Sequence, residues 1–216
     1  MPTRLHFTTP IQPRGHETQE RFAAAAEELL KDQPFEAISV QDIVRRAGRP
    51  IGSFYARFGS KEALLPLLYQ RYHVGLEPWV AARLARHDWE QLDFPTTVSA
   101  IVEFLVALYD ERRSLIRTLA LFARMHPNAL PTEIVENRRR LFDLLARILG
   151  RHRGRIRHPD PDAAARFGVF LVASVVREKL LFGAAPHARV TPLNRRTLRE
   201  ELVRSLRGYL TCEGSR

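Results

Sequence analysis

Apolar residues recur at helical spacing along almost the whole chain, and no stretch alternates as a half-buried strand would. The pattern predicts a first helix over Glu17–Asp32, with Phe22, Ala25, Ala26, Leu29 and Leu30 on one face and Pro34 as its stop. Val40, Ile43, Val44 and Ala47 give the i, i+3, i+4, i+7 stripe of a one-sided second helix, with Ser39 placed to cap it and Gly48 to end it. A third helix starts at Pro50 and turns Phe54 and Phe58 the same way. Ser60 caps a fourth, expected from Lys61 to about Arg86 with a bend near Gly75 or Pro78. Longer helices follow at Thr96–Glu111, Ser114–Met125, Thr132–Leu149, Ala163–Phe182 and Arg195–Leu210. Breaks separate them at 93–95, 126–128, 151–161 and 183–192. The expected fold class is all-α.

The segment "VQDIVRRAGRPIGSFYARFGSKEAL", Val40–Leu64, holds two helices too short to be stable alone. Packing must clamp them, and Phe22, Ala26, Leu29, Val40, Ile43, Val44, Phe54, Phe58 and Leu64 suffice for one small core. That core would leave the other face of the helix after Gly48 free. A short helix with small outer residues fits a major groove about 12 Å wide. Gly52 and Ser53 allow its tip close to DNA, Tyr55 offers a rigid hydroxyl to a phosphate, and Arg57 and Lys61 add charge nearby. Two helices joined by a tight glycine-containing turn make a helix-turn-helix.

These residues, with "RFAAAAEELL", "FEAISVQDIV", "AG", "GSFY", Phe58 and "SKEAL", resemble the DNA-binding domain of the TetR family of bacterial transcriptional regulators over residues 17–66. The resemblance implies base-facing roles for Ile51, Gly52 and Ser53 and phosphate contacts for Ser39, Tyr55, Arg57 and Lys61. Three positions depart from the family pattern: Pro34 in place of Gly, Val44 in place of Ala, and Pro50 in place of the usual Ser or Thr. Pro50 removes a capping hydroxyl and an N–H, and Arg49 is positioned to compensate. The expected organisation is an arm at 1–16, a three-helix DNA-binding domain at 17–62, and an effector-binding and dimerisation bundle at 63–216.

Within that bundle, Trp79, Tyr109, Phe122 and Phe142 are candidates to line an effector cavity, against the plainer alternative of a filled core. His73, Glu103, Arg117, Arg124 and His126 are candidate polar contacts within it. The run Phe167–Phe182 is apolar on more than one face, and Leu198, Leu202, Leu206, Tyr209 and Leu210 form a stripe on the last helix. Phe167, Phe170, Leu171, Ser174, Arg177, Glu178, Leu202, Leu206 and Tyr209 are the expected homodimer interface. The resemblance likewise implies a dimer built by the last two helices. A dimer matters because one small head contacts few base pairs, whereas two at a fixed separation read a palindrome.

Composition changes this picture little. The formal charge is +10, but residues 1–66 carry nine basic against eight acidic groups, so the excess lies outside the DNA-binding segment. "RRR" at 138–140 and "RHRGRIR" at 151–157 read first as solvated faces and second as anion contacts. No helix pattern reaches the roughly 20 apolar residues of a membrane span. The first sixteen residues lack an apolar signal core, and Cys212 is the single cysteine; both lead to the expectation of a cytoplasmic protein. The eight histidines show no metal spacing, no catalytic constellation appears, and no cofactor is expected. The expected function is a homodimeric repressor, released from a palindromic double-stranded DNA operator by a small-molecule effector. The alternatives are an all-helical carrier or an architectural DNA-binding protein, with an enzyme furthest from the pattern.

Overall fold

The computed structural model describes residues 13–127 and 132–212, and it is helical almost throughout. The helices are α1 (Pro13–Leu29), α2 (Val40–Ala47), α3 (Ile51–Tyr55), α4 (Leu65–Leu84), α5 (Phe94–Asp110), α6 (Arg113–Met125), α7 (Thr132–Gly150), α8 (Pro161–Leu181), α9 (Pro186–Arg189) and α10 (Arg195–Thr211). Most lie within a few residues of the pattern-based expectation. α1 begins at Pro13, inside the expected arm, because proline is tolerated in a first helical turn. The rest of that arm, residues 1–12, lies outside the described residues, as does part of the break after Pro127. The fourth helix opens as a 3-10 turn over Glu62–Leu64, with Ser60 Oγ accepting from the Ala63 N–H at 3.3 Å. α9 stands inside an expected break. Lys179 Nζ fixes it by donating to the carbonyls of Ala188 and Thr191, each at 2.6 Å.

The chain divides into two compact units, Met1–Glu77 with Arg112–Ala129, and Pro78–Glu111 with Leu130–Arg216. The first unit therefore extends past residue 62. Its core holds Phe22, Ile38, Ile43, Phe54, Phe58, Leu64 and Leu68, all with almost no exposed surface. Leu29 and Val40, expected in that core, are half-buried. The start of α4 is tied to α1 by Arg71, which pairs with Glu20 and, at 2.9 Å, with Glu27. α6 joins the same unit through Arg117, 3.0 Å from Glu36.

In the second unit α8 packs on α5, α7 and α10. It buries small and β-branched residues there: Ala164, Ala165, Gly168, Val169, Val172, Ala173 and Val176. Small side chains let the helices approach closely. A Cβ added at Gly168 would stand 2.6 Å from Leu206 Cδ1. Three of this unit's helices start on side-chain caps, Asp93 for α5, Asp160 for α8 and Asn194 for α10, each accepting an N–H three residues on at 2.9 Å. Among the described residues no helix is long and apolar enough to cross a membrane.

Candidate nucleic-acid interface

The helix-turn-helix is built by local chemistry. Ser39 and Asp42 form a reciprocal capping box at the start of α2: the Ser39 hydroxyl accepts from the Asp42 N–H at 3.1 Å, and the Asp42 carboxylate accepts from the Ser39 N–H at 3.0 Å. The Ser39 hydroxyl also donates to that carboxylate at 2.5 Å, and this bond first, then the one from the Ser39 N–H, holds the Asp42 carboxyl below its ordinary range. At the other end Gly48 takes the left-handed conformation at φ 62°, which a Cβ would oppose. The Arg49 N–H then closes back on the Val44 carbonyl at 3.0 Å.

α3 has only five residues, so its orientation comes from packing. Phe54 lies edge-on to Phe22, centroids 5.2 Å apart, and 5.1 Å from Phe58. Phe22 and Phe58 are also in edge contact, and all three rings are fully buried. The opposite face is open. Ile51 is 42% exposed and Tyr55 54% exposed, both unusual for large apolar side chains, and nothing lies within 4 Å of where a Gly52 Cβ would point. Pro50 precedes the helix as an extended N-cap with no capping side chain, rather than as its first residue.

Several expected phosphate ligands already have partners inside the head. Ser39 is engaged by Asp42. Ser53 Oγ donates to the Pro50 carbonyl at 2.7 Å, and Arg57 Nη1 donates to the Ser53 carbonyl at 2.9 Å. Lys61 Nζ donates to the carbonyls of Phe35 at 2.9 Å and Ile38 at 2.8 Å, and sits over the Phe35 ring. Arg49 is half-buried, with Nη2 4.0 Å from Glu17 and its buried Nε unpartnered. The open surface is thus carried by Ile51, Gly52 and Tyr55. Arg45 and Arg46, at solvent-facing positions of α2, are two exposed cations that the pattern did not single out; Arg45 donates to the Asp42 carboxylate at 2.5 Å.

The expected effector contacts fall into separate groups. In the first unit Tyr69 stacks on His73 at 4.9 Å, Phe122 stands 6.5 Å from Tyr69, and His126 lies 5.0 Å from Phe122. Arg117 is taken by Glu36, and Arg124 is exposed. In the second unit the Trp79 ring meets Phe104 at 5.6 Å and its N–H donates to Glu111. Tyr109 is buried core, Phe142 is half-buried, and Glu103 faces an exposed groove whose lining includes none of the other candidates. Among the described residues no group of three or more His, Cys, Asp or Glu gathers as metal ligands would.

Two of the expected dimer residues lie inside the chain's own core. Leu202 and Leu206 are buried within the chain's own core, Leu206 against Gly168, so neither is available to a second copy. Phe167 and Phe170 stand 50% and 57% exposed, with Tyr209 5.4 Å from Phe167. Leu171, Ser174, Arg177 and Glu178 are half-buried. Arg177 and Glu178 form no ion pair among the described residues, and Arg177 Nε is buried without a partner.

Residues 23–68 match the model of bacterial regulatory proteins, tetR family. The HTH-type transcriptional regulator EthR of Mycobacterium tuberculosis is 42% identical over 60 residues, and the match covers 28% of each chain. The chain therefore spans little more than a quarter of the length of these curated relatives. Across most of the chain the fold is that of a solved tetR-family protein from Rhodococcus RHA1, with TM-score 0.58, 20% identity, and 92% of this chain and 99% of that one covered. It is likewise that of a TetR-family regulator from Agrobacterium tumefaciens, with TM-score 0.59, 18% identity, and 92% and 100% covered.

Proposed function

We propose, from a chain whose head is a helix-turn-helix of the tetR family of bacterial regulatory proteins, that it binds a palindromic operator as a homodimer, represses transcription there, and is released by a small molecule. One observation carries this reading: a five-residue helix, locked from behind by three buried phenylalanines, presents Ile51, an open Gly52 and Tyr55 outward. Such a face suits the major groove, where Ile51 offers an apolar contact to thymine methyls and Gly52 permits close backbone approach. Tyr55 and Arg46 supply the phosphate contacts that fix register. The exposed pair Phe167 and Phe170 beside Tyr209 supports homodimerisation, because an apolar surface of this kind is covered in most soluble proteins. Release requires a ligand that prefers a head spacing other than the operator's, and it weakens binding only by that preference.

Selection of bound fragments from genomic DNA tests the reading. The expected product is a palindrome with half-sites about one helical turn or a multiple apart, bound with an affinity that falls steeply with salt. Recovery of no common sequence would overturn it. Operator titration with and without the cognate ligand tests release, and an unchanged affinity at saturation would remove that part.

A further inference from the structure

The DNA-binding reading leaves unexplained why the cationic excess sits outside the head. Part of it gathers on one face of α10. There Arg196, Arg199, Glu200, Val203, Arg204 and Arg207 form one wall of a groove of about 520 Å³; Ser99, Val102 and Glu103 of α5 form the other. Like charges three residues apart on a helix oppose each other. Arg196 is relieved by Glu200 at 2.8 Å and Arg204 by Glu201 at 2.9 Å. Among the described residues neither Arg199 nor Arg207 has a carboxylate partner.

We infer that this groove binds an extended organic dianion, two anionic ends joined by an apolar chain, held between Arg199 and Arg207. The volume lies within the range of small-molecule sites, roughly 300–1,000 Å³. Eight residues of helix place the two arginines about 12 Å apart along the axis, and both line the groove. Val203 lies midway, four residues from each, and the buried Val102 faces it from α5, so the centre of the groove is apolar. The groove's two carboxylates are Glu103 on the α5 wall and Glu200, which is paired with Arg196, so anionic ends are directed to Arg199 and Arg207. Ser99 spends its hydroxyl proton on the Pro95 carbonyl, which leaves the guanidiniums as the donors. Arg207 also lines an adjoining hollow with Arg155. The Arg157 N–H donates to the Leu210 carbonyl at 2.8 Å and brings the basic run 151–157 to that end.

Calorimetric titration of the full chain without DNA tests the inference. The probes are succinate, octanedioate and 1,6-hexanediol bisphosphate, with octanoate as the monoanionic control. Octanedioate or the bisphosphate is expected to bind at least tenfold tighter than octanoate and succinate, and the tighter of the two identifies carboxylate or phosphate ends. Arg199→Gln and Arg207→Gln, both at exposed positions, each reduce binding to the octanoate level, whereas Arg166→Gln, at an exposed position of α8 outside the groove, changes it less than threefold. Equal binding of monoanion and dianion, no binding of either long dianion, or indifference to both substitutions would overturn the proposal. Because no DNA is present, its failure leaves the operator reading untouched.

Discussion

Lys61 Nζ donates to the Ile38 carbonyl at 2.8 Å, across 23 residues of sequence, and shares its remaining donors with the Phe35 carbonyl. An ammonium that would be unfavourable at a helix start is thereby made a brace. It holds the 3-10 turn at Phe35–Ala37 and, through Ile38, the residue that caps α2. Lys61→Met is therefore expected to lower the stability of the DNA-free protein by about 2 kcal/mol, the scale of hydrogen bonds to a charged donor. Urea unfolding checks this. Unchanged stability with weakened DNA binding would instead make Lys61 a phosphate ligand.

The phenol of Tyr55 has a different status. Its ring rests edge-on against Phe54, 5.7 Å between centroids, while the side chain stays half exposed. Tyr55→Phe should leave thermal stability unchanged and weaken binding to all DNA sequences about 3- to 10-fold, as loss of one phosphate hydrogen bond would. Binding measured against specific and scrambled duplexes distinguishes this from a base contact, which would change sequence preference.

Acid should loosen the head. The Ser39 hydroxyl, then its N–H, lowers the Asp42 pKa; the Glu36 carboxyl is also lowered, first by its own backbone N–H and then by Arg117. A depressed folded-state pKa contributes stability that is present above the unfolded value, about pH 4, and lost as pH falls through the folded value. Unfolding midpoints between pH 6 and pH 3 should fall on the acid side. Asp42→Asn should be less stable at pH 6 and show a shallower fall.

The bounds of α2 were legible because both ends are written in local chemistry, Ser39 before it and Gly48 after it. The buried side of α3 was legible for a similar reason, since Phe54 and Phe58 lie one turn apart. Long-range partners were not legible. Nothing in the spacing of Lys61 and Phe35 reveals their contact, so Lys61 read as a phosphate ligand. α9 was hidden because Lys179 fixes it from another helix. The stripe on α10 marked a packing face without saying what it packs on, and Leu202 and Leu206 are used within the chain. Among the effector candidates, periodicity separates buried from exposed positions but not a core from a cavity wall.

Gly168 and Leu206 test the close approach of α8 and α10. A methyl group at Gly168 would stand 2.6 Å from Leu206 Cδ1, so Gly168→Ala should cost about 1–3 kcal/mol in urea unfolding. Leu206→Ala opens a cavity and should cost about 2–5 kcal/mol. The double variant is expected to be clearly less destabilised than the sum of the two, because the alanine methyl occupies the space the leucine leaves. Strict additivity would mean that the two positions do not touch.

Gly52 and Gly48 make the sharpest contrast, because one is free for contact and the other for conformation. Gly48 stands at φ 62°, where alanine is strained by about 1–2 kcal/mol, so Gly48→Ala should destabilise the head whether or not DNA is present. Gly52 lies in a helix, and an added Cβ meets nothing within 4 Å. Gly52→Ala should therefore fold normally and gain up to about 1 kcal/mol from helix propensity. The same methyl would project from the open face between Ile51 and Tyr55. If that face lies against base edges, operator affinity should fall about tenfold or more while non-specific binding changes little. Paired unfolding and DNA-binding measurements separate these outcomes. A stable Gly52→Ala protein with undiminished operator affinity would show that the tip of α3 does not enter the groove.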